Sequence, residues 1–378
     1  MPKQLANFDA DAFLNHYWQR KPLLIKNALP HLGELVSGDD LAGLSLEEDI
    51  DSRIVQGNGT SKPWQLNLGP FTEATYQNLE EANWTLLVQG VDRLSDDIAA
   101  LKHYFSFLPR WRFDDVMVSY ATLGGSVGPH TDRYDVFLVQ GQGTRTWRVG
   151  VQDQASLVAS EESGLSLVVG FNEYQEWQVE TGDIVYIPPR TAHWGIANSE
   201  CVTYSIGFRS PSLADMVQAV CDTVVDQLDE DQRYTDEKNP THSISEATLT
   251  RATNLISEQL LTVLDKPEAW FAPLVTTADQ NECGDESLCL QDIIENNLST
   301  GLGTHVRWSI LEQANQSPMV YINGEQQSSE SEQWPKLLSK LDSDSSLEPA
   351  WFSQPCEQLL PLLLYWLEQG WLVEVETH

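Results

Sequence analysis

The chain has 378 residues, 41% of them hydrophobic, and a formal net charge of −34. That length exceeds one typical domain and predicts two or three. So acidic a surface repels phosphate backbones, which argues against direct nucleic-acid binding; it either steers a basic partner or only keeps the chain soluble.

The first residues, Met1-Pro2-Lys3-Gln4-Leu5-Ala6-Asn7, carry no apolar signal-peptide core, and no apolar run in the chain is long enough to span a bilayer. A soluble cytoplasmic protein is expected. From Asp9 onward the spacing of Phe13, Leu14, Tyr17 and Trp18 predicts a helix, capped by Asp9 or Asp11. Lys21-Pro22 ends it, because the proline ring disfavours α geometry in the residue before it. Leu23 to Ile25 reads as a strand, Leu41 to Glu48 as a short helix, and Ser52 to Val55 and Trp84 to Gln89 as further strands.

Between Val116 and Arg209 short strand candidates follow one another: Val116 to Thr122, Tyr134 to Gln140, Thr144 to Val149, Glu176 to Val179, Asp183 to Ile187 and Val202 to Phe208. Glycine or proline punctuates most of the gaps. The pattern predicts a jelly roll of the cupin type.

After Ser210-Pro211-Ser212 the periodicity becomes helical at Leu213 to Leu228 and Ile244 to Leu264, on either side of a polar loop from Asp229 to Thr241. Two such helices bury little by themselves and are expected to pack on another chain or on the β domain. The remainder predicts helices near Leu288 to Asn296, His305 to Ala314, Trp334 to Leu341 and Pro355 to Gln369. It adds an Asn323-Gly324 turn and a last strand from Trp371 to Val375. Helices followed by short strands read as winged-helix-like. The predicted organisation is 1–210, 211–266 and 267–378. The cysteines, Cys201, Cys221, Cys283, Cys289 and Cys356, are odd in number and form no C-x-x-C pair. They predict reduced thiols, not a disulfide framework or a zinc ribbon.

The chemistry lies in the β-rich part. Gly128-Pro129-His130-Thr131-Asp132 is answered by Ile187-Pro188-Pro189-Arg190-Thr191-Ala192-His193. His-x-Asp with a distant His is the pattern of a 2-His-1-carboxylate metal site, which leaves open positions for a cosubstrate and dioxygen. If His130 and Asp132 lie in a strand, alternation points both side chains the same way. His193 must then arrive from another strand or its end. His-x-Asp alone is a weak signal; the neighbouring glycines and the second motif strengthen it.

In Thr144 to Val149, Arg145 shares a face with Trp147 and Val149, which predicts an inward guanidinium in need of an anion. That anion is either the distal carboxylate of 2-oxoglutarate or an internal Asp or Glu. Ser119 alternates with Met117 and Ala121; its hydroxyl either bonds the same carboxylate or is satisfied by backbone. Tyr134 either lines a substrate pocket or belongs to the core. Asp135 either lines that pocket or is solvated.

These residues resemble the JmjC-type 2-oxoglutarate oxygenases of the ribosomal oxygenase group. Among them, the bacterial branch that hydroxylates an arginine of a large-subunit ribosomal protein is most similar. The resemblance is carried by Phe13-Leu14-Asn15-His16-Tyr17-Trp18-Gln19-Arg20-Lys21-Pro22-Leu23-Leu24-Ile25, by Gly128 to Gly141 and by Trp147-Arg148-Val149-Gly150, and it extends over nearly the whole chain. It implies a double-stranded β-helix (the cupin/JmjC jelly roll), then a helical dimerisation segment and a winged-helix-like C-terminal domain. It implies His130, Asp132 and His193 as ligands of Fe(II), Arg145 as the partner of the 2-oxoglutarate carboxylate and Ser119 as a hydroxyl beside it. Eukaryotic relatives use lysine at the Arg145 position, so arginine favours the bacterial branch.

The expected activity is therefore Fe(II)- and 2-oxoglutarate-dependent hydroxylation of an arginine in a basic ribosomal protein, by a homodimer. The alternatives are a histidine hydroxylase of a ribosomal protein, an N-methyl-lysine demethylase, a cupin binding or scaffold protein, and a DNA-binding regulator. The regulator is disfavoured because Arg307, Lys336 and Lys340 are the only basic residues from Pro267 to His378.

Overall fold

The computed structural model describes residues 3–152, 156–159, 164–171, 174–229, 231–236, 242–278, 288–314, 317–343, 346–353 and 358–375. Cys283, Cys356 and parts of the predicted Asp229 to Thr241 loop and Pro355 to Gln369 helix lie outside them. The chain divides into two compact units, Met1–Arg209 and Ser210–His378.

The first unit holds β1 (Leu23–Ile25), β2 (Ser52–Gln56), β3 (Gln65–Leu68), β4 (Trp84–Val88), β5 (Phe113–Ala121), β6 (Asp135–Gln142), β7 (Thr144–Gln152), β8 (Ser156–Ala159), β9 (Ser166–Val169), β10 (Gln175–Glu180), β11 (Ile184–Ile187), β12 (Thr191–Ala197) and β13 (Cys201–Phe208). Helices α1 (Ala10–His16), α2 (Gly38–Leu44), α3 (Glu73–Gln77) and α4 (Asp96–Ala99) accompany them. The large sheet runs β1-β11-β6-β13-β5-β4-β2-β3 and the small one β10-β7-β12; the pairings are antiparallel.

Both faces of the large sheet are covered, which is why its central strands are so apolar. On one face Val116, Val118, Phe137, Val139, Tyr186, Tyr204 and Ile206 join the main core with Phe13 of α1. Asp9 starts α1 by accepting the Ala12 N–H at 2.9 Å. The helix then seats Phe13 edge-on against Tyr186, with ring centroids 4.8 Å apart. On the other face Val136, Leu138, Val185 and Ile187 meet Trp147, Val149 and Val179 of the small sheet.

Asp135 neither lines the pocket nor meets solvent, contrary to both expectations. It is fully buried. Its carboxylate accepts from Arg112 at 3.0 Å, from the Tyr186 hydroxyl at 2.5 Å and from Gln19 at 3.1 Å. The polar pattern around Tyr134 hides this, because Arg112 and Gln19 arrive from distant sequence.

Asp92, in the turn before α4, is also buried and accepts the Val116 N–H at 2.7 Å. Burial raises its carboxyl to about 6, above the ordinary aspartate range. The folded state thus holds a proton that the unfolded chain has released. Asp92's contribution to stability is full below about pH 4 and is lost as pH rises towards about 6, on the order of 3 kcal/mol. Asp92→Asn keeps an acceptor for Val116 without the charge. Denaturant midpoints at pH 5 and pH 7 should therefore move less in the variant than in the parent; equal movement would place the dependence elsewhere.

The second unit holds α5 (Leu213–Gln227), α6 (Glu246–Leu264), α7 (Phe271–Thr276), α8 (Leu290–Glu295), α9 (Trp334–Asp342) and α10 (Leu360–Glu368). Its strands are β14 (Thr300–Leu302), β15 (Trp308–Leu311), β16 (Met319–Ile322), β17 (Glu325–Gln327) and β18 (Leu372–Glu374). The helix predicted from His305 to Ala314 is instead the strand β15, which pairs antiparallel with β16. Trp308 joins the buried core and Ile310 packs against it, a period of two that a short apolar run does not distinguish from a helix. The Asn323-Gly324 turn joins β16 to β17, with φ of 47° and 85°, the positive values that a tight hairpin requires. Helices α5 and α6 pack on each other, and one valine of each, Val220 and Val263, is buried.

Candidate active site

A cavity of about 260 Å³ lies in the first unit, lined from both sheets. Strand alternation decides which residues reach it. Arg53 and Val55 come from β2, Thr85 and Leu87 from β4, Met117 and Ser119 from β5, Thr203 and Ser205 from β13, and Arg145 and Trp147 from β7. The segment Leu165 to Leu167 closes one side.

His130, Asp132 and His193 line the same cavity, and their potential ligand atoms all lie within 4.8 Å of one another. His130-Thr131-Asp132 is not a strand, as the alternation argument assumed. It is an irregular segment between β5 and β6, held by one bridge in which His130 and His193 exchange backbone hydrogen bonds of 3.0 and 2.9 Å. His193 itself lies within β12. The Arg190 N–H donates to the Asp132 carbonyl at 2.7 Å and ties the two motifs together again. Gly128 makes the approach possible. Its φ is 80°, and a Cβ there would meet Leu167 and Trp64 at 2.8 and 3.2 Å.

The two imidazoles are oriented in the same way. Nδ1 of His130 lies 3.0 Å from the Gly128 carbonyl, and Nδ1 of His193 lies 2.9 Å from that of Thr191. A carbonyl can only accept, so each Nδ1 carries the proton and each Nε2 keeps its lone pair. The His130 and His193 Nε2 atoms stand 4.0 and 3.4 Å from Asp132 Oδ2. Burial, with His193 beside it, pulls His130 below the ordinary histidine range. Burial pushes Asp132 upward, but the neighbouring His193 and His130 rings outweigh it, so its carboxyl titrates below the usual aspartate range. Neutral imidazoles and an ionised carboxylate are the states in which this set can hold a divalent metal.

Arg145 is 4% exposed. Its guanidinium donates to Cys201 Sγ at 3.5 Å and lies 5.6 Å from the Trp147 ring centre. Its Nε has no hydrogen-bond partner, and no carboxylate pairs with it among the described residues. A buried cation facing a cavity that also holds the triad suits an anion brought from solution. Ser119 is buried on β5, in register with Thr203 of β13, and lines the cavity. Tyr134 both lines the cavity and packs against the inner core, so its two expected placements are one.

Arg53, Thr85, Thr203 and Ser205 were not among the sequence candidates, yet they line the cavity. Parity along β13, where Thr203 and Ser205 alternate with apolar residues, is the signal that could have found two of them.

The JmjC domain family model matches residues 100–216. The chain is 36% identical to "Ribosomal protein uL16 3-hydroxylase" of Escherichia coli over 267 residues, 70% of each protein. The chain belongs to the JmjC ribosomal oxygenases. An X-ray structure of E. coli ycfD is similar at 30% identity, with a TM-score of 0.82 over 99% of this chain and 100% of that one. A structure of the same E. coli ribosomal oxygenase in complex with cobalt and 2-oxoglutarate is similar at 30% identity, with a TM-score of 0.80 over 99% of each chain. The fold is thus of the JmjC/cupin type, with antiparallel sheets.

Proposed function

We propose that this chain is an Fe(II)- and 2-oxoglutarate-dependent oxygenase that hydroxylates an arginine side chain of a large-subunit ribosomal protein. The observation that carries the reading is the buried Arg145, without a carboxylate partner among the described residues, in one cavity with His130, Asp132 and His193. The uL16 hydroxylase name of the E. coli relative and its bound 2-oxoglutarate in the structural one support the ribosomal protein and the cosubstrate.

In this reading Nε2 of each histidine and the Asp132 carboxylate hold the ferrous ion. Arg145 receives the far carboxylate of 2-oxoglutarate as a charge-assisted pair, with Ser119 beside it. When bound, the iron supplies the reduction of dioxygen coupled to decarboxylation, so that 2-oxoglutarate leaves as succinate and carbon dioxide while one oxygen atom enters a substrate C–H bond. The protein's own work is placement. The Gly128 and Thr191 carbonyls fix the imidazole tautomers. Val136, Leu138 and Trp147 keep the inner wall dry.

The test is mass spectrometry of ribosomal proteins from cells with and without this protein. One peptide should lose a mass of one oxygen in its absence, and fragmentation should put that oxygen on arginine. Oxygen on histidine would redirect the reading to histidine hydroxylation, and an unchanged proteome would reject the substrate class.

The substrate is expected to be basic, in keeping with the charge of −34. The enzyme would act in the cytoplasm without binding nucleic acid itself; no described helix is long and apolar enough to cross a membrane. Residues 1–210 form the catalytic domain in this reading, 211–266 the dimerisation segment and 267–378 a winged-helix-like domain used for packing or protein contacts. The helices support a homodimer. Val217, Leu249, Ile256 and Leu261 are each 56–59% exposed, apolar surface that a second copy would cover. Val220 and Val263 are already buried in the single chain. Val217→Glu with Ile256→Glu should therefore convert a dimer into a monomer in light scattering, whereas a monomeric parent protein would remove the proposal.

A further inference from the structure

The catalytic cavity holds a second arginine. Arg53 of β2 lines it together with Arg145 and the triad, and it remains partly exposed. Register brings the two arginines in from different ends. Arg53 stands opposite Leu87 of β4, Leu87 opposite Ser119 of β5, and Ser119 opposite Thr203 of β13. Arg145 reaches instead to Cys201 of β13, which stands opposite Ala121 of β5. Three strand spacings, about 14 Å, separate β2 from β13 in the order β13-β5-β4-β2.

The Arg53 guanidinium is positioned without being neutralised. Its Nη2 donates to Gln89 Oε1 at 3.1 Å. Gln89 is fixed in turn by Asp115, which accepts from Gln89 Nε2 at 2.5 Å and from the Gly90 N–H at 3.1 Å. The amide therefore turns its oxygen to Arg53 and separates the cation from the Asp115 carboxylate. Among the described residues no carboxylate pairs with Arg53. Burial and the neighbouring triad side chains act most on His130 and Asp132, and the Arg53 charge acts on both after them. The guanidinium thus lies towards the triad, whereas Arg145 lies towards Cys201.

An unpaired cation in a cavity needs an anion. The charge of −34 disfavours an acidic macromolecule as its source. A cationic substrate side chain would itself be repelled by an uncovered Arg53. A small dicarboxylate meets both conditions, with one carboxylate for Arg145 and the other for Arg53, whose planar fork suits it.

We infer that Arg53 binds the carboxylate of 2-oxoglutarate that adjoins the keto group, at the end of the cosubstrate nearer the triad, while Arg145 holds the far carboxylate. The identity of the cosubstrate rests on the proposed function. Arg53 makes the site selective for a 2-oxo acid, beyond the single carboxylate that Arg145 recognises. A carboxylate on Arg53 also removes the repulsion that a cationic substrate side chain would meet, so the cosubstrate binds before a basic substrate.

The test is calorimetric titration of the full chain loaded with Zn(II), which binds the cosubstrate without turning it over. Two ligands are compared, 2-oxoglutarate and 4-oxobutanoate, which keeps the far carboxylate and the carbonyl but lacks the carboxylate next to it. Arg53→Met should weaken 2-oxoglutarate about tenfold or more, the worth of a hydrogen-bonded charge pair, and leave 4-oxobutanoate within about twofold of the parent. Arg53→Lys keeps the charge without the fork and should weaken 2-oxoglutarate by about threefold, which serves as the reading if the methionine variant does not fold. Zn(II) affinity should not fall in either variant. Parental 2-oxoglutarate affinity in the variants, or equal weakening of both ligands, overturns the inference and leaves the cosubstrate reading in place. A parent protein that does not bind 2-oxoglutarate rejects that reading, and the role of Arg53 with it.

Discussion

Asp132→Ala is expected to abolish 2-oxoglutarate turnover while leaving the fold intact. Asp132 supplies the one negative charge in the triad, and both histidines keep their backbone partners without it. Two neutral imidazoles cannot balance a divalent ion or complete one face of its coordination. Loss of a group that merely orients a metal ligand typically weakens binding about 10–100-fold, and loss of a ligand should exceed that. Anaerobic titration with Fe(II), followed by calorimetry, reads the affinity; succinate formation reads the turnover. Wild-type iron affinity in the variant would show that the triad is not the metal site.

Arg145→Ala is expected to raise KM for 2-oxoglutarate about 30-fold or more while iron still binds. Breaking a buried charge-assisted pair costs about 2–5 kcal/mol, and the lower bound corresponds to that factor. A stability measurement separates the two readings of this arginine. Were it paired with an internal carboxylate, alanine would strand that carboxylate and cost about 3–5 kcal/mol of folding free energy. Among the described residues no such carboxylate is present, and Cys201 is the guanidinium's one acceptor. Alanine should therefore leave the thermal midpoint without cosubstrate close to the parent's, or raise it by removing an unpaired buried charge. Arg145→Lys should recover part of the 2-oxoglutarate affinity, since lysine keeps the charge but loses the planar fork. A large fall in midpoint with unchanged KM would make Arg145 structural.

The periodic features were legible in the chain. Alternation in Thr144 to Val149 put Arg145 on the inner face, and β7 has it there. Asn323-Gly324 marked a hairpin because few dipeptides accept two positive φ angles in succession. The helix expected from His305 to Ala314 is not there, because the strand within that stretch, Trp308 to Leu311, holds too few repeats to tell the two periods apart.

By itself, then, the sequence determined what local chemistry can determine. It set the acidic charge, the strand-rich centre, the helical stretch after it and a ligand pattern in His130, Asp132 and His193. Only the tertiary structure decided what depends on residues far apart in the chain. The bridge between His130 and His193 brings the irregular segment that carries His130 and Asp132 against the strand that carries His193. Arg112 and Gln19 bury Asp135, which by its neighbours looked solvated or pocket-lining. Pairing of β4 with β5 sets Leu86 beside Tyr120 and places Ser119 and Tyr120 on opposite faces of one sheet. Local pattern states which way a side chain points along its own strand, whereas what it meets is set by the register of strands that are remote in sequence.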